Sequence, residues 1–589
     1  MIFYRSTLLL SFAATVAHLV LSVTLVHADD GKASNATPKA NALQKWQDAR
    51  FGMFVHWGLY SVPAGKYRGQ NIPHLGEWIM RHALIPKVEY EKFTGGFAPN
   101  GYDAEAWVQL ARDAGMKYMV VTAKHHDGFA LFDSKVSTWD AVDATPRQQD
   151  LLMPIVQACR KQGMPLGFHY SQAQDWWHPG GSRYGEPWDD SQIGSFDKYL
   201  ANIALPQIKE LVTNYGPVAS FFFDTPAQMN HVRAEALAAA VPDITLTNDR
   251  LYHGFDGDYI SYETKLPSRT DPARPWELCL SCNDTWGYKS EDANWKSSTS
   301  LLHVLIDAVS RGGNVLLNVG PDANGRIPEA AAKILREMGA WLSIYGESIY
   351  GTRRSPFEKV SWEGGCTSFA LESGDTAIYA IINTLPKNNE FSVPPMSNNV
   401  LSAQLLPNNT KLHVEKVGSI CTIALPDQIS QFPAVVKIIV EGKPNPLPQA
   451  CLPQSNGEFL LTPTTAKLNG KKIQLERQQN SPITNVGYWS DTKDTVSWHL
   501  DISRGGTYHC TWEISCPKDS AGSVIGLIYN DVEIGRFVVP ATGAWSIFNS
   551  FAGGTIKLPP SSGVLKLITI SKPGSGVVNL RLLSLTPAQ

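Results

Sequence analysis

The chain lacks any long run of charges of one sign. It carries 51 lysine and arginine residues against 54 aspartate and glutamate residues, which gives a formal net charge of −3 at pH 7. A nucleic-acid-binding protein usually presents a concentrated basic surface, so this balance argues against a nucleic-acid partner. We expect a neutral substrate instead.

Cysteine is also scarce, at eight among 589 residues. So few thiols do not form a disulfide scaffold in a chain of this length. Cys510 and Cys516 flank a short segment and could form a local disulfide. Cys279 and Cys282 form a CxxC pair, but one such pair without a second is weak evidence for a redox or zinc site. We therefore expect structural thiols or one local disulfide.

A long apolar stretch occurs at the amino terminus, from Leu8 to Val26, with Arg5 ahead of it. Val26 and Ala28 occupy the positions that a signal peptidase reads, so we predict a signal peptide over residues 1–28. An uncleaved anchor is the alternative, because the stretch approaches the roughly 20 residues that a membrane-spanning helix needs. Three sequons are compatible with secretion of an N-glycosylated protein, and they begin at Asn35, Asn283 and Asn408. After cleavage we expect a secreted protein without a membrane span.

Hydrophobic residues make up 43% of the chain and charged residues 18%, a globular composition with room for two or three domains. From about residue 40 to 345, short apolar runs alternate with segments of helical periodicity. The runs "FGMFVHW", "YMVVTA", "PLGFHY", "SFFFDT", "ITLTND", "LCLSC" and "NVLLNV" predict buried parallel strands separated by helices. We therefore predict an α/β fold, a (β/α)8-like TIM-type barrel, with an open doubly wound sheet as the alternative.

The composition changes after residue 345 to proline, asparagine, serine and short alternating runs. This change predicts a β-sandwich over residues 346–445, then a proline-rich link and a second β-rich domain over residues 455–589. We expect the second domain to support the barrel by packing, with carbohydrate binding as the alternative.

Polar side chains follow nearly every apolar run of the predicted barrel. They are His56, Lys124, His125, His126, Asp127, His169, Tyr170, Asp224, Asn248, Asp249, Arg250 and Asn318. Because all strands of a parallel barrel end at the same face, we expect these side chains to converge on one site. Asp224 directly follows three phenylalanines, and a carboxylate buried there would be costly without partners.

Several motifs of the barrel segment resemble one known family. They are "FGMFVHWGLYSVPAG", "GEWIM", "AKHHDGFALFDS", "HYSQAQDWW", "FFFDT", "NDR", "PWELC", "NDTWGY" and "GGNVLLNVGP", in family order over about residues 40–350. The sequence resembles the retaining α-L-fucosidases of glycoside hydrolase family 29, and most of all their secreted plant members. The resemblance implies release of α-L-fucose from oligosaccharides or glycoprotein glycans, preferably α-1,3/1,4-linked, and an apoplastic location if the source is a plant. It implies no cofactor and no metal.

A retaining glycosidase needs two carboxylates about 5 Å apart, one a nucleophile and the other an acid/base. The resemblance assigns the nucleophile to Asp224, which Arg250 and the histidines are expected to keep ionised. For the acid/base we favour Glu263 in "GDYISYETKLP", because a loop carboxylate can reach a leaving group at the barrel mouth. Glu277 in "PWELC" is the alternative.

The remaining matches are candidates for sugar binding, because their side chains can bond to hydroxyl groups or cover the methyl group of the sugar. They are His56, Glu77, Trp78, His125, His126, Tyr170 and Arg250. Trp176 and Trp286 are expected on the side of the leaving group.

Two other functions compete with this one. Histidines near strand ends suggest a metal-dependent barrel hydrolase, but the adjacent His125 and His126 are expected to project in opposite directions, which disfavours a shared metal. A secreted lectin-like protein would retain the pocket without turnover. Loss of either carboxylate would mark such a protein, and both are present.

Overall fold

The computed structural model describes residues 37–588 except 184, 268–269, 418–419, 430, 448–449, 452, 455, 478–483 and 503–504. The predicted signal peptide and the sequon at Asn35 lie outside the described residues. No helix in the described part of the chain has the length and apolar character needed to cross a membrane.

Eight parallel strands form one sheet that closes into a barrel. They are β1 (Phe51–Val55), β2 (Met119–Lys124), β3 (Leu166–Tyr170), β4 (Ser220–Phe223), β5 (Leu246–Thr247), β6 (Ile260–Glu263), β7 (Trp276–Ser281) and β8 (Asn314–Val319). The sheet runs from β5 through β4, β3, β2, β1, β8 and β7 to β6. A parallel bridge between Asn248 and Tyr259 links its two outer strands. The prediction of a (β/α)8-like barrel is confirmed.

Helices surround most of the ring. The longer ones are α1 (Pro38–Ala49), α2 (Ala104–Asp113), α3 (Leu152–Gln162), α4 (Leu205–Asn214), α5 (His231–Ala240), α6 (Ser298–Ser310) and α7 (Glu329–Tyr345), and the shorter ones are Ile79–His82, Lys87–Glu91 and Phe196–Tyr199. Asp103 begins α2 by accepting a hydrogen bond from the backbone nitrogen of Ala106, and Ser297 caps α6 in the same way. The described residues between β5 and β6, and between β6 and β7, contain no helix. Those two connections are free to form the rim of the barrel mouth.

Alternation along each strand separates two apolar cores. Met53 and Val55 of β1 pack outward against the helices, whereas Phe54 faces the barrel interior with Phe222 of β4. Trp46 of α1 packs against Tyr259 with ring centroids 4.5 Å apart and planes tilted by 31°. This aromatic packing fills the amino-terminal end of the barrel, so the interior opens only toward the carboxyl ends of the strands.

Two β-rich units follow the barrel. The first has a six-stranded sheet (Arg353–Arg354, Gly364–Ala370, Thr376–Ile382, Val400–Leu405, Thr410–Lys411 and Ala434–Val440) facing a three-stranded one (Glu390–Val393, Val414–Val417 and Ile420–Ala424). An apolar core that includes Ile378, Ile423 and Val436 lies between them. Tyr379 packs on the opposite side with Trp341 of α7, whose indole nitrogen donates to the Pro433 carbonyl at 2.8 Å. The first unit therefore shares a buried interface with the barrel.

The second unit consists of two more antiparallel sheets. One contains Ala450–Cys451, Lys467–Asn469, Thr495–Asp501, Val524–Tyr529, Val532–Val538 and Ser562–Ser571, and the other contains Phe459–Leu461, Gln474–Arg477, Thr484–Gly487, Gly506–Ser515, Asn549–Leu558 and Asn579–Pro587. Their own apolar core includes Trp489, Trp498 and Trp512. This core makes the unit a separate β-sandwich.

The cysteines are structural thiols. Cys510 and Cys516 are buried and free, and so are Cys279 and Cys282. Cys510 lies within the strand Gly506–Ser515 and Cys516 directly follows that strand. Six residues of extended chain span about 20 Å, so the local disulfide considered from the sequence cannot form.

Candidate active site

A cavity of about 630 Å³ opens at the carboxyl ends of the barrel strands. Side chains from β1, β3, β4, β6 and β7 and from the connecting loops line it, including residues 249–250 and 252–256 of the helix-free connection after β5. The cavity contains most of the predicted site residues: His56, Glu77, Trp78, His125, His126, Asp224, Arg250 and Glu263.

The two-residue period of the strands explains this convergence. Phe222 faces the barrel interior, so Asp224, two residues later, faces the barrel mouth. By the same two-residue period, His56 follows Phe54 and Glu263 follows Ser261 on the interior face. All four residues line the cavity. Within a strand, a side chain therefore enters the cavity only if it is in phase with the interior face.

Asp224 is held as an anion by its neighbours. Its Oδ2 lies 3.1 Å from Nε2 of His169 and 3.4 Å from Nε2 of His126, and its Oδ1 lies 3.3 Å from Nη1 of Arg250. Burial alone would raise the pKa of Asp224, but the His169 hydrogen bond and the nearby positive charge outweigh it and hold the pKa well below its usual range. The carboxylate that follows the three phenylalanines therefore has partners that stabilise its charge.

Glu263 is the last residue of strand β6. The sequence had suggested that it lies in a loop. Its Oε2 accepts a hydrogen bond from Nη1 of Arg250 at 2.9 Å, and its side chain is 43% exposed. The sequence did not reveal β6, because "ISYE" is half-buried and has no apolar run. The strand is recognisable only as the partner that completes the ring between β5 and β7.

Glu277 occupies a different level of the barrel. In the β6–β7 register, Cys279 is paired with Glu263 and Glu277 with Ser261, which puts Glu277 about 7 Å nearer the closed end. Its Oε1 accepts a hydrogen bond from the Tyr118 hydroxyl at 2.5 Å, and burial raises its pKa to about 7. Glu277 is fully buried and does not line the cavity.

Neutral histidines form much of the cavity wall. Burial lowers the pKa of His56 to about 3 and that of His126 to about 4, and it lowers the pKa of His125 well below the usual range. His56 Nδ1 lies 2.7 Å from Oδ1 of Asn318, and His126 Nδ1 lies 2.6 Å from the Ser171 hydroxyl. These contacts fix the rings, so that each can offer a defined donor or acceptor to a hydroxyl group.

Glu77 lies in a short turn after β1. Its Oε2 accepts hydrogen bonds from the Gly287 backbone nitrogen at 2.8 Å and from the Thr285 hydroxyl at 3.1 Å. Burial raises its pKa to about 7. Its Oε1 is buried and has no partner within the described residues, and neither has Nδ1 of His125. Such unsatisfied polar atoms in a cavity wall mark positions for a polar ligand.

Two predicted site residues lie outside the cavity. Tyr170 is out of phase with His169, so it faces the helices, where its hydroxyl donates to Oε1 of Gln207 at 2.7 Å. Trp176 is buried behind Trp78, with ring centroids 5.2 Å apart, whereas Trp286 does line the cavity. His169 was expected among the converging strand-end residues but was not among the catalytic or sugar-binding candidates, although it contacts Asp224 and its phase with Phe54 and Phe222 was an available signal.

His125 and His126 do not project in opposite directions, so the prediction made from the sequence was wrong on this point. His125 and His126 follow the end of β2, where strand alternation no longer applies, and both line the cavity with ring centroids 4.1 Å apart. Two groups have ligand atoms within 4.8 Å of one another, His56 with His125 and His169, and His125 with His126 and Asp224. The positions of His125 and His126 are therefore compatible with a shared metal ion.

Residues 20–347 match the family model described as Alpha-L-fucosidase, and this segment covers more than half of the chain. The chain belongs to the alpha-L-fucosidase family. The family is one of fucose-releasing glycoside hydrolases, so the resemblance seen in the motifs is confirmed, and the enzyme is an alpha-L-fucosidase.

Curated and solved relatives agree with this family membership. The chain is 32% identical over 369 residues to the tissue alpha-L-fucosidase of Macaca fascicularis, covering 59% of this chain and 76% of that one. It is 31% identical over 380 residues to the human plasma alpha-L-fucosidase, covering 60% and 78%. The crystal structure of an alpha-L-fucosidase from Vibrio sp. strain EJY3 superposes with a TM-score of 0.68 at 25% identity, over 93% of this chain and 98% of that chain.

A second solved family member was captured during its reaction. It is the alpha-L-fucosidase of Bacteroides thetaiotaomicron, solved as a trapped covalent intermediate in complex with 2-fluoro-fucosyl fluoride. It has a TM-score of 0.61 and 29% identity, over 68% of this chain and 96% of that chain.

Proposed function

We propose that this family member releases α-L-fucose by double displacement, with Asp224 as the nucleophile and Glu263 as the acid/base. One observation carries the assignment. The two carboxylates reach into one cavity from different strands and accept hydrogen bonds from the same nitrogen, Nη1 of Arg250.

That shared donor limits the distance between the carboxylates. At 3.3 Å and 2.9 Å from one nitrogen, the two oxygens cannot be farther apart than these lengths laid end to end. These two oxygens are therefore close, which is compatible with the roughly 5 Å between the carboxyl groups of a retaining pair. This closeness supports a direct attack by Asp224.

The chemical steps follow from the two environments. Ionised Asp224 attacks the anomeric carbon while Glu263 gives its proton to the departing glycosidic oxygen, which leaves a β-fucosyl ester on Asp224. Glu263 then takes a proton from water, whose oxygen attacks the anomeric carbon and releases α-L-fucose and the Asp224 carboxylate. Each residue ends the cycle in its starting protonation state.

The choice of Glu263 over Glu277 is supported by reach. The Glu263 side chain is partly exposed at the mouth, where a leaving group departs, whereas Glu277 is sealed below Cys279 and engaged with Tyr118. A general acid must approach within hydrogen-bond distance of the oxygen that it protonates.

The neutral histidines beside Asp224 suit a neutral sugar. His56, His125 and Glu77 provide donors and acceptors for hydroxyl groups, and Trp78 offers an aromatic surface for the 6-deoxy methyl group. Trp286 lines the same cavity and is available to the leaving group.

We further propose a preference for α-1,3/1,4-linked fucose on oligosaccharides or glycoprotein glycans, and secretion after removal of residues 1–28. The motifs most similar to those of secreted plant members support both proposals. Hydrolysis of a panel of defined fucosylated oligosaccharides measures the linkage preference. The amino-terminal residue of the protein recovered from the medium tests secretion and cleavage.

The decisive experiment for the mechanism is the configuration of the first product. Proton NMR during hydrolysis of an aryl α-L-fucoside is expected to show α-L-fucose before mutarotation. Initial β-L-fucose would contradict double displacement, and saturable binding without turnover would indicate a lectin-like protein.

A further inference from the structure

A second group of reactive side chains lies outside the cavity around Asp224. The Ser137 hydroxyl oxygen lies 2.7 Å from Nε2 of His178. Nδ1 of His178 lies 2.9 Å from Oδ2 of Asp175. Serine, histidine and aspartate bonded in this order form the arrangement that activates a serine for acyl transfer on several unrelated folds.

The charge of Asp175 fixes the direction of these hydrogen bonds. Burial alone would raise its pKa, but His178 and the Lys124 ammonium, 2.8 Å away, hold the pKa well below its usual range. An ionised carboxylate only accepts, so Nδ1 of His178 carries the proton. The carboxylate thus holds Nδ1, and Nε2 is the ring nitrogen that faces the Ser137 hydroxyl, which is the arrangement of a nucleophile and its general base.

The local backbone holds this geometry in place. Oδ1 of Asp175 accepts hydrogen bonds from the backbone nitrogens of Trp177 at 3.1 Å and His178 at 2.9 Å. The Trp177 ring stacks on Trp139 with centroids 4.9 Å apart and planes 3° apart. The Trp139 backbone nitrogen donates to the Ser137 oxygen at 3.1 Å. The segments that carry the three residues are therefore fixed to each other before any ligand binds.

Ser137 and His178 lie in the wall of a separate cavity of about 520 Å³, which we call the second cavity. It shares no lining residue with the cavity around Asp224. Ser137 is only half-buried, and the wall combines the apolar Val136 and Ile203 with the charged Lys135 and Asp143. An open wall of mixed polarity suits a small acyl group attached to a polar alcohol.

We infer that Ser137, His178 and Asp175 form a second hydrolytic site, which cleaves short acyl esters of alcohols. Ser137 attacks the ester carbonyl carbon and its proton passes to Nε2 of His178, which then gives it to the departing alcohol. Nε2 of His178 then takes a proton from water, whose oxygen attacks the carbonyl carbon of the acyl-serine. The carboxylic acid is released, and His178 returns the proton to the Ser137 oxygen. Ester and water are consumed, and alcohol and acid are formed.

The chain contains a matched internal control for this inference. Nε2 of His499 lies 2.7 Å from the Ser562 hydroxyl, the same distance as in the pair of His178 and Ser137. Within the described part of the chain, the other ring nitrogen of His499 has no hydrogen-bond partner, so no carboxylate orients it. Ser562 is also the more exposed serine. Labelling governed by exposure alone would therefore favour Ser562.

The test is covalent labelling of the intact enzyme with an ethoxy fluorophosphonate probe, followed by peptide mapping. Ser137 is expected to carry the label and Ser562 is not. Ser137→Ala is expected to lose this label and to slow the hydrolysis of p-nitrophenyl acetate at least about tenfold, with aryl fucosidase turnover unchanged.

Three results would overturn the inference: no label on Ser137, equal labelling of Ser562, or unchanged ester hydrolysis in Ser137→Ala. Because the labelling uses the native enzyme, the first two readouts stand even if the variant does not fold. The inference is independent of fucose release, which has its own cavity.

Discussion

Asp224 and Glu263 share one hydrogen-bond donor, Nη1 of Arg250, at 3.3 Å and 2.9 Å. The guanidinium contacts both carboxylates of the proposed mechanism at once. It also packs over the Phe222 ring, 5.6 Å from its centroid, at the top of the apolar interior. The position of Arg250 therefore links the charge of the nucleophile to the orientation of the acid/base.

Replacing this guanidinium tests the link. Arg250→Met is expected to lower kcat/KM about 10- to 100-fold, the range given by loss of a charged hydrogen bond. Because Arg250 helps to depress the pKa of Asp224, its removal raises that pKa, and the acid limb of the pH profile moves to higher pH. Arg336→Met is the control, since Arg336 pairs with Glu329 at the surface of α7. An acid limb at its original pH would contradict the proposed role.

Loss of the nucleophile should be rescued by a small anion. Asp224→Gly is expected to lower turnover by several powers of ten, and azide is expected to restore part of it by entering the space of the missing carboxylate. The rescued product should be the β-fucosyl azide, because azide then attacks the α-fucoside directly. Asp243→Gly, at an exposed position far from the cavity, should behave like the wild type. Near-normal turnover of Asp224→Gly without azide would refute the assignment.

The acid/base is identified by its dependence on the leaving group. Glu263→Ala is expected to impair natural oligosaccharides strongly while largely sparing the first step on a dinitrophenyl fucoside, whose leaving group needs little protonation. Azide should then produce the α-fucosyl azide, because it attacks the β-fucosyl ester. Glu277→Gln keeps an acceptor for Tyr118 and should show no such dependence on the leaving group. The reverse pattern would transfer the role to Glu277.

Tyr170 is expected to contribute to stability and not to sugar binding. Tyr170→Phe leaves Oε1 of the buried Gln207 without its donor, which should cost about 1–3 kcal/mol. A lower unfolding temperature with an unchanged KM would agree with this role. Tyr488→Phe is the control, because Tyr488 is exposed. A raised KM with unchanged stability would instead support the sugar-binding role suggested by the sequence.

The histidine clusters require a direct test for metal. Incubation with EDTA followed by gel filtration is expected to leave fucosidase turnover unchanged, because the proposed steps use only side chains. Loss of activity that added zinc restores would favour the metal-dependent hydrolase. Zinc titration calorimetry on the treated enzyme would then locate the effect in the clusters around His125, with His125→Gln as the comparison.

The sequence predicted seven of the eight barrel strands, because each carries an apolar run buried on both faces. It also indicated that polar residues gather at the strand ends, which is a consequence of parallel direction alone. Strand β6 was not predicted because its burial depends on neighbours that are distant in the chain. Glu263 was therefore assigned to a loop although it ends a strand.

The sequence by itself determined the barrel, the family resemblance and the position of Asp224 at the end of a strand. The period of the apolar residues, the order of the strands and helices, and the motifs can all be read along the chain. Only the tertiary structure decided which strand-end residues enter the cavity. His169 points inward and Tyr170 outward because adjacent residues of a strand face opposite sides, and the phase is set by packing across the ring. Only the β6–β7 register separates Glu263 from Glu277, since the depth of a side chain in a barrel depends on pairing between strands.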